Sequence, residues 1–251
     1  MAAVFGIAIV KDEADIIEQT VTRMLAQVDR VLILDNGSTD GTFEILEQLD
    51  VTLGRDAEPG YYQSRKMTAL AARAAGMGAG WVVNFDADEC WYSPFGRIAD
   101  VLRESSAQVA TAALYDHVAT CLDPEGAPVD RIGWRRREPA ELPKVACRAV
   151  VPATILQGNH GADYPARVED GLLVVRHYPY RSVDQFVSKV RNGAAAYAAT
   201  DLPEHEGQHW RDYGRLLDNG GPDAIAEVFR TWFWTADPAA DPTLIFDPCP
   251  R

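Results

Sequence analysis

The chain has 251 residues, of which 47% are apolar, 24% charged and 9% aromatic. That length and balance exclude an intrinsically disordered or fibrous polymer and leave ample chain for a buried core. With 37 Asp and Glu against 24 Lys and Arg the net charge is −13, so a surface that tracks a nucleic-acid backbone is disfavoured, because phosphates would be repelled. A local cationic pocket for a phosphorylated small molecule, or a metal ion, stays compatible with that charge. The four cysteines, Cys90, Cys121, Cys147 and Cys249, are scattered without CxxC spacing, which predicts reduced thiols in a soluble, cytoplasmic protein. No run approaches the roughly 18–20 apolar residues of a membrane span. The N-terminus has no basic region and turns acidic at Asp12-Glu13, so it reads as a first strand and not as a signal peptide.

Val4 to Val10 is a continuous apolar run, the pattern of a strand buried on both faces. Asp12 follows as a cap for a helix in which Ile16, Ile17, Thr20, Val21, Met24, Leu25 and Val28 share one face. Val31 to Leu34 predicts a second buried strand. It stops at the turn-forming stretch Asp35-Asn36-Gly37-Ser38-Thr39-Asp40-Gly41, ahead of a helix with Phe43, Ile45, Leu46 and Leu49. Val51 to Leu53 predicts a short third strand. Ser64 to Ala79 is an alanine-rich helix ended by Gly76, Gly78 and Gly80, and Trp81 to Phe85 is a fourth strand that runs into Asp86-Ala87-Asp88-Glu89. Strands alternating with helices through short joints predict an α/β fold with a mostly parallel sheet and right-handed crossovers. Ligands bind beyond the carboxyl ends of such strands. That rule makes Lys11-Asp12-Glu13, Asp35-Asn36 and Asp86 to Glu89 neighbours at one mouth.

The second half is less regular. Residues 121–143, rich in proline and glycine and holding Arg135-Arg136-Arg137, predict a long loop, the arginines either solvated or facing an anionic acceptor. Val145 to Val151, Thr154 to Gln157 and Leu172 to His177 predict strands. Ser182-Val183-Asp184-Gln185 fits a capping box, opening a helix with Val183, Phe186, Val187, Val190, Ala194 and Tyr197 on one stripe. From Pro203 onward the pattern gives one or two helices and a proline-rich end. Trp232 and Trp234 there suit a core or an interface, including that of a homodimer.

Asp86-Ala87-Asp88 carries the strongest chemical signal. Two carboxylates at i and i+2, at the end of a buried strand, point to the same side and can share one hard cation. Such a cation bridges the phosphates of a nucleotide diphosphate and neutralises charge as it leaves. Asp35 ends the second strand, so its carboxylate points into the same mouth, where it can accept from a base N–H. Arg65 and Lys66 open the alanine-rich helix and, with Arg181 and Lys189, are candidate cations for a diphosphate. Trp91, Tyr92 and Trp134 are candidates for stacking on a sugar ring.

The ordered set Ile7-Ala8-Ile9-Val10-Lys11-Asp12-Glu13, Asp35-Asn36-Gly37-Ser38-Thr39-Asp40-Gly41-Thr42 and Asp86-Ala87-Asp88 resembles the family 2-like glycosyltransferases of the GT-A fold. The resemblance covers about residues 4–200 and is strongest before 92. It implies a Rossmann-like central sheet flanked by helices, with a nucleotide-binding half in 1–92 and an acceptor-side half in 93–200. Residues 201–251 would form a helical extension on the same domain. It also implies a nucleotide diphosphate sugar donor, most often a UDP-sugar. By that similarity Asp35 would hold the uracil, Asp12 or Glu13 would line the nucleotide pocket, Asp86 would reach the ribose or sugar, and Asp88 would bind the metal. His177 looks like the late histidine from which such enzymes take a metal ligand, and a mixed oxygen and imidazole site favours Mn²⁺ over Mg²⁺. His160 and Asp163 stand in the glycine-flanked stretch Gly158-Asn159-His160-Gly161-Ala162-Asp163, where the family keeps its acceptor-side base, and both residue types do that chemistry.

Two departures from the family pattern stand out. The first strand ends Val-Lys-Asp-Glu, where many members place a tyrosine and asparagine before the acid. There is also no clear Glu-Asp pair at the usual place for the catalytic base. The acceptor is open among protein, glycan, lipid head group and nucleobase. Nucleotidyl transfer, on a similar sheet, usually needs a glycine-rich loop after the first strand, where this chain has Lys11-Asp12-Glu13. A phosphatase with an aspartate nucleophile places its D-x-D after the first strand and not the fourth. A binding module without catalysis would show nucleotide binding without turnover.

Overall fold

The computed structural model describes residues 2–123, 132–150, 154–163 and 167–250; Val151 and residues 124–131, expected as strand and loop, lie outside them. The described residues fall into two compact units. The first comprises residues 1–57, 63–115 and 139–177, and the second residues 58–62, 116–138 and 178–251. Residues 178–200 thus group with the helices of the tail and not with the sheet that precedes them.

The first unit is built on a single eight-stranded sheet. Its strands in chain order are β1 (Ala3–Val10), β2 (Arg30–Asp35), β3 (Thr52–Arg55), β4 (Ala79–Asn84), β5 (Glu89–Tyr92), β6 (Val109–Asp116), β9 (Lys144–Arg148) and β12 (Val168–His177). Two short strands of the second unit, β7 (Ala119–Thr120) and β8 (Trp134–Arg136), intervene in sequence, as does the hairpin β10 (Thr154–Ile155) with β11 (Ala162–Asp163). The spatial order is β3-β2-β1-β4-β9-β6-β12-β5. Pairing is parallel from β3 through β4 and antiparallel for β4 with β9, β9 with β6, and β12 with β5.

The apolar run of β1 explains itself in the packing. Val4, Ala8 and Val10 face one core with Ile17, Val21 and Met24, while Phe5 and Ile7 face a second core with Met67, Leu70 and Ala74. The first set comes from helix α1 (Ile17–Gln27) and the second from α3 (Gln63–Gly76), one helix on each face of the sheet. Gly6 lets α1 approach closely, since a Cβ there would meet Met24 Cγ at 2.9 Å. The expected face of α1 holds, burying Ile17, Thr20, Val21 and Met24, and α3 buries Met67, Leu70 and Ala74. The helix expected after Asp35–Gly41 is the short α2 (Thr42–Leu46). Helix α4 (Ile98–Glu104) and strand β6 carried no sequence prediction. Asp12 does not cap α1. The first N–H groups of that helix instead donate to the Glu13 carbonyl, at 3.1 and 2.9 Å from Ile16 and Ile17, because the Asp12 carboxylate is engaged elsewhere.

In the second unit α5 (Val183–Ala198) and α6 (Gln208–Trp232) share a core of Phe186, Val187, Val190, Ile225 and Phe229. The α5 cap is half a capping box: Ser182 Oγ accepts from the Gln185 N–H, while the Gln185 side chain accepts from the Arg181 N–H. Pro222, which lacks an N–H, breaks α6 after Gly221. Trp234 packs on this core and Trp232 is 68% exposed. The arginine run is a structural fastening and not a loop of free charges. Trp134–Arg136 forms β8, paired with β14 (Leu244–Phe246). Arg135 is buried on Asp247 at 2.6 Å, Arg136 donates to Thr243, and Arg137 donates to the Pro242 carbonyl. Trp134 packs edge-on against Phe246, and strand β13 (Trp234–Thr235) pairs with β7. Among the described residues no helix is long and apolar enough to cross a membrane.

Candidate active site

The carboxyl ends of β1, β2 and β4 lie side by side in the first unit, with Asp12-Glu13 just after β1, Asp35 at the end of β2 and Asp86 to Glu89 just after β4. Asp35 pairs in register with Val10, and its backbone is gripped on both sides. Asn36 N–H donates to the Val10 carbonyl and Asp56 N–H to the Asp35 carbonyl, both at 2.8 Å. The Asp35 carboxylate is fully buried. One oxygen, Oδ2, accepts from the N–H groups of Gly37 and Ser38, at 3.1 and 3.2 Å. The other, Oδ1, is a buried acceptor with no donor among the described residues. Such an atom carries a desolvation cost until a donor reaches it.

Asp12, with a left-handed φ of 51°, clasps the turn that follows β2. Its N–H donates to Ser38 Oγ at 2.9 Å, and its Oδ1 accepts from the Thr39 N–H at 2.7 Å. Glu13 N–H donates to Thr42 Oγ1 and Ala14 N–H to Asp40 Oδ2, at 2.8 and 2.9 Å. Lys11 closes the clasp through the carbonyls of Asn36 and Gly37. Lys66 is buried in an ion pair with Asp56 at 2.6 Å, and Asp56 also accepts from the Asn36 side chain at 2.9 Å. Arg65, its neighbour on α3, is exposed.

Beyond β4 the chain turns through Asp86-Ala87-Asp88-Glu89, and the two aspartates part company. Asp88 is buried, with Oδ2 3.6 Å from His177 Nε2. The antiparallel register sets His177 at the end of β12 opposite Glu89, the residue after Asp88. Asp86 instead points to β9 and the following loop. Its Oδ2 is 2.5 Å from Lys144 Nζ, and its Oδ1 accepts from Asn159 Nδ2 at 2.9 Å and Gln63 Nε2 at 3.3 Å. The expectation that both aspartates face one cation is therefore corrected: Asp88 has the imidazole and Asp86 has the ammonium.

Glu89 is buried under this turn. Its Oε2 accepts from the Asp86 N–H and the Trp91 indole, at 3.0 and 2.9 Å, and its Oε1 is 2.8 Å from Lys144 Nζ. Trp91 is thus a core residue and not a stacking platform. Burial pushes the Glu89 pKa up, against the opposing pull of Lys144. Burial by itself would lower the Lys144 pKa, but Asp86 and Glu89 outweigh it and hold the ammonium charged. None of Lys144, Asn159 or Gln63 was singled out from the sequence.

His160 follows a tight turn at Gln157–Asn159, where Gly158 and Asn159 both have positive φ, 72° and 59°. A Cβ on Gly158 would lie 2.4 Å from His160 Cδ2, so only glycine leaves room for the imidazole. Nδ1 of His160 is 2.8 Å from the Pro143 carbonyl. A carbonyl only accepts, so Nδ1 carries the proton and Nε2 the lone pair. Burial lowers the His160 pKa, with a further push from the Lys144 charge. Asp163 is exposed on β11, its backbone paired with Thr154. In the second unit Arg181 and Lys189 donate to the carbonyls of Tyr178 and Pro179.

Among the described residues no three His, Cys, Asp or Glu side chains gather as a cluster able to hold a metal ion. Asp88 and His177 supply two donors of the type, carboxylate oxygen and imidazole nitrogen, that suit a divalent ion completed by phosphate oxygens and water.

The sequence profile of glycosyl transferase family 2 matches residues 7–141. No curated protein matches the chain. Among solved structures, mannosyl-3-phosphoglycerate synthase from Rubrobacter xylanophilus is 18% identical over 45% of this chain and 40% of its own, with a TM-score of 0.37. Glucosyl-3-phosphoglycerate synthase from Mycobacterium tuberculosis, in complex with Mn²⁺, UDP and phosphoglyceric acid, is 16% identical over 45% of this chain and 43% of its own, with a TM-score of 0.34. A nucleotidyl transferase from Methanothermobacter thermautotroptrophicus is 15% identical over 59% of this chain and 72% of its own, also at 0.34. The chain thus spans less than half the length of either synthase.

Proposed function

Because the chain belongs to glycosyl transferase family 2, we propose that it moves a sugar from a nucleotide diphosphate donor, a UDP-sugar, to an acceptor hydroxyl with inversion at the anomeric carbon. The observation that carries this reading is the meeting of Asp88 and His177, 3.6 Å apart, beside a mouth where Asp35 keeps a buried oxygen without a donor among the described residues. The base of the nucleotide gives that oxygen its N–H. Asp12 and Glu13 shape the nucleotide side through the clasp on residues 38–42. Asp86, steadied by Lys144, Asn159 and Gln63, faces the ribose or the sugar. Lys66 acts on the nucleotide side through Asp56, and Arg65 offers the diphosphate an exposed cation.

Asp88 and His177 would hold a divalent cation, Mn²⁺ before Mg²⁺ for this donor set, whose chemistry when bound is to neutralise charge on the departing diphosphate. The acceptor oxygen forms its bond to the anomeric carbon as the bond to the diphosphate oxygen breaks. His160 takes the acceptor proton on Nε2, which its bond to the Pro143 carbonyl keeps as the lone-pair nitrogen. Asp163, exposed on β11, is the alternative base.

The test is calorimetric titration of the full chain with UDP, GDP, CDP and dTDP, each with and without Mn²⁺, repeated on Asp88→Asn. Metal-dependent binding of UDP that the variant loses is the expected result. Absence of binding by all four nucleotides would leave a shared fold without the donor chemistry.

A further inference from the structure

Lys144 is the least expected member of this cluster. It opens β9, its side chain is 6% exposed, and its ammonium has three N–H donors. Three acceptors surround it: Asp86 Oδ2 at 2.5 Å, Glu89 Oε1 at 2.8 Å and the Gly158 carbonyl at 2.9 Å. The turn 86–89 carries three carboxylates, and this one fixed ammonium answers two of them, while Asp88 alone turns to His177.

We propose that Lys144 is a positioning residue that serves as a resident cation, keeping Asp86 out of the metal site so that a divalent ion is held by Asp88 and His177 alone. The proposal rests on the assignment of Asp88 and His177 as the metal pair. Asp86 is two residues from Asp88 on the same turn and carries the same chemistry. What separates the two is that Lys144, Asn159 and Gln63 hold Asp86 by both oxygens. A purely structural lysine predicts weaker ligand binding when it is removed. A resident cation predicts the opposite for a metal, because the released carboxylate gains a new partner and the local charge becomes more negative.

The test follows the electron paramagnetic resonance signal of free Mn²⁺, without nucleotide, as the full chain is added. The variants are Lys144→Met, Asp86→Asn, the double variant Lys144→Met/Asp86→Asn, and Asp88→Asn as reference. Lys144→Met should bind Mn²⁺ about tenfold more tightly than the wild type, the effect of one extra negative charge near the ion in a partly screened site. Asp86→Asn should weaken Mn²⁺ by no more than about tenfold, the loss of one nearby negative charge and well short of the loss in Asp88→Asn, and the double variant should return to the wild-type value because it restores the net charge. Unchanged or weakened Mn²⁺ binding in a folded Lys144→Met chain overturns the proposal, as does a gain that persists in the double variant. Should Lys144→Met fail to fold, Asp86→Asn decides: a loss of Mn²⁺ as large as that of Asp88→Asn overturns the proposal. If Asp88→Asn binds Mn²⁺ as well as the wild type does, the metal pair itself is wrongly assigned and the inference falls with it.

Discussion

The two halves of the sheet build their share of the site by different means. On the parallel side, β1 and β2 lead into Asp12 and Asp35 at their carboxyl ends, and the turns there fix both through hydrogen bonds among residues 10–14 and 35–42. On the antiparallel side, β9 and β12 deliver Lys144 and His177 by register, against partners far away in sequence. Turn chemistry sets the first half and strand pairing the second. The nucleotide side should therefore tolerate changes that disturb the antiparallel strands, and the reaction side should not.

The largest expected break in that contrast is His160→Ala. It should lower transfer by about 10²- to 10⁴-fold, the usual worth of a positioned general base, while UDP binding stays as in the wild type. The wild-type rate should rise with pH through the folded pKa of His160, which burial sets below the ordinary 6.5, and then level off. The stability link has the same sign. Between the folded pKa and 6.5 the unfolded chain binds more protons, so this residue's share of stability falls as pH drops through that window. A pH–rate profile and urea unfolding at several pH values check both, and a wild-type acid limb centred above 6.5 would remove His160 from the role.

Next in size is Asp88→Asn, expected to cost about 100-fold in Mn²⁺-dependent nucleotide binding, since one of two protein donors loses its charge. Far-UV circular dichroism should remain as in the wild type. Asp35→Ala attacks the other half. It should weaken UDP by about 10- to 100-fold, the worth of a hydrogen bond to a charged acceptor, with Mn²⁺ uptake untouched. Equal losses of UDP and Mn²⁺ in that variant would erase the distinction between the halves. Smallest is Gly158→Ala, expected to cost about 1 kcal/mol or slightly more in stability from its positive φ, by thermal unfolding. It should also slow transfer by displacing the imidazole, while nucleotide affinity holds.

This division also explains how much of the molecule was legible in the sequence. Asp35, Asp86 and Asp88 announce themselves because each ends an apolar strand and begins a turn, a pattern confined to a few neighbouring residues. His177 does likewise at the end of Leu172–Val175. Lys144 gives no such sign: a lysine at the start of a strand reads as an edge charge, and its partners are 58 positions away at Asp86 and 14 at Gly158. The arginines of 135–137 misled for the same reason, since Asp247 lies 112 positions further on. Strand β6 was missed because Val109-Ala110-Thr111-Ala112-Ala113 has too much alanine to favour a strand by propensity, and its pairing with β9 decides it. The place of Asp12 before a helix predicts a cap, whereas contact with Ser38 and Thr39 claims its carboxylate and N–H first.

The clasp between residues 12–14 and 38–42 has a consequence for how this protein can diversify. Hydrogen bonds cross that gap from Asp12, Glu13 and Ala14 on one side to Ser38, Thr39, Asp40 and Thr42 on the other, each tied to its own offset along the chain. Inserting a single residue between Asn36 and Thr42 shifts every partner downstream of it out of reach at once. The stretch 157–160 is tied as well, through the Gly158 carbonyl to Lys144, the Gly158 N–H to Gln63, Asn159 to Asp86 and His160 to the Pro143 carbonyl. Chain length is therefore locked at two places, between Asn36 and Thr42 and between Gln157 and His160, so insertions should be tolerated only outside these two stretches.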